Sequence, residues 1–84
     1  MAVSKALEKV VGQMRQSPNN VRFSDLCRVC DHFFGEAHQK GTSHRRYEIG
    51  LPDEPPINVQ DDHGKAKAYQ VRQVLKALDL RGEG

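Results

Sequence analysis

Between Glu36 and Gln60 the chain breaks into short alternating runs, 36–40, 44–49 and 57–60, and stretches of helical periodicity stand on both sides of them. Turn chemistry separates the runs, with Gly41-Thr42 after the first and Gly50-Leu51-Pro52-Asp53-Glu54-Pro55-Pro56 after the second. Such a pattern predicts three antiparallel strands in a meander. Proline has no ladder donor, so the second connection is expected to be an irregular hairpin loop that extends neither strand.

Val3, Leu7, Val10, Val11 and Met14 recur at helical spacing until Ser17-Pro18-Asn19-Asn20 stops them, which predicts an amphipathic helix over 3–16. A second helix is expected over 24–34, with Ser24 as N-cap, Asp25 in the first turn, an apolar stripe of Leu26, Val29, Cys30 and Phe33, and Gly35 as the stop. Ala68, Val71, Val74, Leu75 and Leu78 mark a last helix from about Lys65 to Leu80. The fold class is therefore α+β. Residues 1–20 form an N-terminal helix and turn, 21–80 the domain proper, and 81–84 a frayed tail. At 84 residues there is room for one small domain with a thin core, so the N-terminal stripe is expected to cover that core; docking a partner is the competing use.

Formal charge is only +2, from 13 Lys and Arg against 11 Asp and Glu, so bulk electrostatics do not announce a nucleic-acid binder. Distribution says more. Positive residues gather from His38 to Arg46 and again at Lys65, Lys67, Arg72 and Lys76, while Asp53, Glu54, Asp61 and Asp62 lie in connections. On a helix starting at Lys65, the side chains of Lys65, Arg72 and Lys76 fall near one another beside the apolar stripe, either a solvated face or a phosphate-contacting ridge. No signal peptide or membrane-length apolar run is visible, and a cytoplasmic location follows by default. Cys27 and Cys30 lie within one expected helix, which fits free thiols in a reducing compartment.

The best candidate for chemistry is Gly41-Thr42-Ser43-His44-Arg45-Arg46-Tyr47-Glu48-Ile49, a turn that delivers a histidine onto a basic strand. If Tyr47 and Ile49 face the core, period-two geometry puts Arg45 on their side and sends His44, Arg46 and Glu48 to the wetter face. Histidine exchanges a proton near neutral pH, and arginine binds phosphate through a planar fork. The pair suits work on a phosphodiester.

The helix, three strands, helix order and the segment Gln39-Lys40-Gly41-Thr42-Ser43-His44-Arg45-Arg46-Tyr47 together resemble the HicA family of mRNA interferase toxins. That family has a double-stranded-RNA-binding-domain-like (dsRBD-like) α-β-β-β-α fold. Its signature is a glycine-serine-histidine turn entering the second strand, with an aromatic three residues beyond. Here His44 and Tyr47 occupy those places, and Tyr69 to Leu78 looks like the closing helix. The resemblance spans roughly residues 23–80; Thr42 is inserted in the turn, the first strand is short, and residues 1–20 lie outside the family core.

The resemblance implies a type II toxin: an endoribonuclease that cleaves mRNA, inhibits translation and is neutralised by a HicB-like antitoxin. His44 would act as acid or base, with Arg46 and nearby lysines stabilising charge on the phosphorane. RNA would be positioned by Lys40, Arg45, Arg46, Lys65 and Lys67, with no metal and no cofactor. The second proton-transfer group stays open among His38, Lys40, Tyr47 and solvent. A non-catalytic RNA-binding module is the nearest alternative, since the same surface can read A-form geometry. Cys27 and Cys30 could be a redox pair or half a zinc site completed by His32, His38 or His63, though buried free cysteine ordinarily behaves as a small hydrophobe. Asp61, Asp62 and His63 fit either a metal site or a polar strand-to-helix connection.

Overall fold

Ser4 starts the first helix, its side chain accepting the Leu7 N–H at 3.2 Å. The computed structural model describes residues 4–40 and 44–82, with only the backbone for Gln39 and Lys40, and Val3 and the Gly41-Thr42-Ser43 turn lie outside the described residues. The elements in order are α1 (Lys5–Gln16), α2 (Phe23–Phe34), β1 (Gln39–Lys40), β2 (His44–Tyr47), β3 (Ile57–Asp62), β4 (Lys65–Ala66) and α3 (Ala68–Leu80). The chain is thus an α+β fold with three helices beside an antiparallel sheet of order β1-β2-β3-β4. The meander β1–β3 is the one expected from the alternating runs.

The sheet has a fourth strand beyond the three expected, β1 and β2 are shorter than the runs 36–40 and 44–49, and β3 extends past 60 to Asp62; two helix starts also differ in ways that bear on the site. Ser24 is not the N-cap of α2: that position belongs to Arg22, which makes no side-chain cap bond, and Ser24 lies within the first turn. Arg22 is held there by the sheet, since it bridges Lys65 while the Phe23 N–H donates to the Gly64 carbonyl at 3.0 Å. Lys65 is not helical either. It pairs with Asp62 in a hairpin, and Ala66, buried in the core, donates its N–H to the Val21 carbonyl at 2.8 Å. These ladder bonds outweigh the helix preference of a Lys-Ala-Lys-Ala run, so α3 begins only at Ala68. The supposed ridge therefore loses Lys65, leaving Arg72 and Lys76 exposed on α3.

The β3–β4 hairpin turns on His63 and Gly64, both at positive φ, 55° and 86°, as a two-residue type I′ turn requires. Asp61 steadies it by accepting the Gly64 N–H at 2.7 Å. Because an L side chain is strained at that φ, Gly64→Ala should lower stability by about 1–2 kcal/mol, read as a reduced urea midpoint. An unchanged midpoint would mean the turn relaxes freely.

One core joins all the layers. Leu7 and Met14 from α1, Leu26, Val29 and Cys30 from α2, Tyr47 and Val59 from the sheet, and Val71, Val74 and Leu78 from α3 are buried together. Between Tyr47 and Ile57 the chain makes the expected irregular loop, with a turn at Pro52-Asp53 and Ile49 buried. At the periphery Arg15 binds Asp79 at 2.8 Å, tying α1 to α3 and holding the Asp79 carboxyl below its usual range. Arg81, just beyond α3, donates to the Phe33 carbonyl and lies 5.4 Å over the Phe34 ring, so it satisfies the C-terminal end of α2.

Candidate active site

The alternation of β2 sorts its four side chains by chemistry. Tyr47 is fully buried, and Arg45, on the same face, turns toward α2; His44 and Arg46 emerge on the opposite face, His44 exposed and Arg46 partly so. Register places Gln60 across from His44 and Asn58 across from Arg46. The outer face therefore carries a titratable ring, a guanidinium and two carboxamides within one pair of strands.

Among the described residues Arg46 has a loose ion pair, 3.9 Å to Glu48. Its Nε is buried and finds no acceptor among the described residues. The Arg46 side chain as a whole is 43% exposed, so an anion would meet the outer part of the guanidinium and not this nitrogen. His44, Arg45, Arg46 and Asn58 line an open depression of about 250 Å³ at this point. A second depression, of about 280 Å³, shares His44 and Asn58 with the first and is lined also by Gln60, Tyr69 and Gln73. His44 lines both depressions, one basic and the other rich in amides.

The inner face is committed to structure. Tyr47 donates its hydroxyl proton to Asp31 at 2.7 Å and accepts from Arg45 at 3.4 Å, while the Arg45 guanidinium lies 3.7 Å from the second Asp31 oxygen. Burial raises the phenol pKa, Arg45 opposes the shift and Asp31 reinforces it. With its hydroxyl occupied on the far side of the sheet, Tyr47 is unsuited to be the second proton-transfer group for His44. Arg45, 34% exposed at its side chain, has its charge engaged by Asp31.

The remaining expected contacts spread outward. Lys65 is exposed on β4, opposite Asp62, and Lys67 sits half-buried at the N-cap of α3. The Lys40 side chain lies outside the described residues, as does the glycine-serine part of the turn. His38 donates its backbone N–H to the Arg46 carbonyl at 2.8 Å, which sets it two residues along β2 from His44. Sequence reasoning missed Tyr69, Gln70 and Gln73. The signal available was a polar, aromatic side of α3 next to the apolar stripe, which becomes meaningful only once α3 is known to lie against β3.

Cys27 and Cys30 are buried free thiols. Burial pushes both pKa values up, for Cys27 against a lowering contribution from Arg45. Protonated buried thiols are poor nucleophiles and poor metal ligands, so the pair behaves as packing. Among the described residues no three His, Cys, Asp or Glu side chains are grouped to hold a metal ion. The Asp61-Asp62-His63 run is accounted for by the hairpin, with His63 Nδ1 3.0 Å from Asp62.

These raised values have a sign. The unfolded chain releases the Cys27, Cys30 and Tyr47 protons near their ordinary values of 9.0 and 10.0, whereas the native protein keeps them longer. Stability is therefore full below about pH 9 and falls as pH rises beyond it. Urea midpoints measured from about pH 8 to about pH 10.5 should decline, and a flat profile would contradict the burial of these groups.

Comparison with protein-family models, curated proteins and solved structures gave no match. No helix among the described residues is long and apolar enough to cross a membrane.

Proposed function

We propose that the chain is a metal-independent endoribonuclease of the HicA type, a dsRBD-like toxin that cleaves cytoplasmic mRNA and is silenced by a HicB-like antitoxin. The observation that supports this reading is the outer face of β2, where an exposed His44 and the half-exposed Arg46 guanidinium line one open depression. The resemblance of the Gly41–Tyr47 segment supports the reaction type.

In this reaction the ribose 2′-oxygen bonds to phosphorus as its proton passes to His44, and the bond from phosphorus to the 5′-oxygen breaks. The departing oxygen takes a proton from His44 or from water, so the products are a 2′,3′-cyclic phosphate and a 5′-hydroxyl. Arg46 balances the charge that builds on the non-bridging oxygens. Lys65, Lys67 and Lys40 serve as longer-range contacts to the RNA backbone, while Arg45, held by Asp31, contributes charge from below the strand. If these cations bind phosphates, RNA affinity falls as salt rises.

The test is to incubate labelled single-stranded RNA with the protein in EDTA and to identify the product ends. Cyclic phosphate or its opened form is expected; 3′-hydroxyl ends that appear only with added metal would overturn the mechanism. RNA binding without any cleavage would favour the binding-module reading.

A further inference from the structure

Gln70 is only 3% exposed, and both ends of its amide are used. Its Oε1 accepts the backbone N–H of Gln60 at 2.9 Å, and its Nε2 donates to the Tyr69 hydroxyl at 3.2 Å. A buried carboxamide anchored to β3 thus holds the phenol of its neighbour. Tyr69 nevertheless stays 54% exposed. Exposed tyrosines are common, but one fixed at its hydroxyl by a buried amide has a set position with its ring left accessible.

That ring lines the amide-rich depression of about 280 Å³, together with Asn58, Gln60 and Gln73. Each of these carboxamides offers a donor and an acceptor side by side, the arrangement that matches the edge of a nucleobase. An aromatic face supplies the other half of base recognition, since every base can stack on it. The adjoining basic depression, which shares His44 and Asn58 with it, suits phosphate. A base in one and a phosphate in the other are the two parts of one nucleotide.

Building on the ribonuclease reading above, we infer that the Tyr69 depression is a subsite for an unpaired nucleobase of single-stranded RNA next to the cleaved bond. Tyr69 stacks on the base, and Asn58 and Gln73 bond its edge. The anchored ring fixes where the ribose must lie, which brings its 2′-hydroxyl toward His44. Bases within a duplex are already stacked on one another and have no free face to offer.

The experiment measures binding, with cleavage of the corresponding all-ribose strand by the same proteins read beside it. A short fluorescent single-stranded RNA, made uncleavable by 2′-deoxy substitution, is titrated with wild type, Tyr69→Phe, Tyr69→Ala and Tyr69→Leu, after circular dichroism confirms that each variant is folded. Alanine and leucine should each raise Kd by about 5- to 100-fold, while phenylalanine, which keeps the ring, retains most of the affinity. On an abasic oligonucleotide of the same length all four proteins should bind alike. Equal binding of wild type and Tyr69→Ala to the base-bearing RNA, or an equal loss on the abasic strand, would overturn the subsite. Ring-dependent binding in a protein that never cleaves RNA would sink the ribonuclease reading and leave the subsite standing. Cleavage indifferent to Tyr69 would do the reverse, and failure to bind any RNA would end both.

Discussion

Replacing His44 with alanine is expected to lower RNA cleavage by about a hundred- to ten-thousand-fold, the range over which a single positioned acid or base acts. Its unfolding midpoint should stay near wild type, because His44 is exposed on the outer face of β2 and lies outside the buried core. RNA affinity should also be largely kept, since phosphate contacts come from the cations around it. The combination is what distinguishes a catalytic role: cleavage lost, fold and binding retained. A purified His44→Ala protein that cleaves as fast as wild type would assign the activity elsewhere or to a contaminant. A variant that loses binding in parallel with cleavage would make His44 a contact residue.

Met14→Ala should give the largest change in stability, about 2–5 kcal/mol, as expected for emptying a fully buried methionine site. Each kcal/mol corresponds to about 4–8 °C in a domain of this size, so Tm should fall by about 8 °C or more. Val10→Ala is the control: Val10 is only half-buried beside the core and should respond more weakly. The comparison tests whether α1 belongs to the core in solution. Were α1 chiefly a docking helix for a partner, Met14→Ala would leave the isolated protein's Tm unchanged and weaken association instead.

The periodic stripes of all three helices were legible because each buries one face, and Leu7, Met14, Leu26, Val29, Val71 and Leu78 are core residues as the spacing requires. The strand alternation of β2 was legible for the same reason, and it separated Tyr47 from His44 without any structure. The hairpin was missed where local preference and tertiary pairing disagree. Lys65-Ala66 reads as helix by composition, but it is drawn into the sheet by Asp62, by Arg22 and by the Val21 carbonyl, a partner more than forty residues away in sequence. Ser24 failed as a cap for the same cause, since the bridge at Arg22 sets where α2 begins. Candidate residues on α3 could not be found from spacing. Tyr69 gains its meaning from the bond between Gln70 and the β3 backbone, a relation that periodicity does not encode.

The two-residue strand β4 is bonded on one side to β3 and on the other to Val21 and Arg22. Joining these segments closes a long loop, and loop closure slows folding in small mixed domains. On the ribosome α1 and α2 emerge well before Ala66, so their connection lacks its hydrogen-bond partner until most of the polypeptide has been made. A nascent chain stopped short of that point is therefore expected to leave the apolar faces of its first two helices without the sheet and α3 that cover them in the native core.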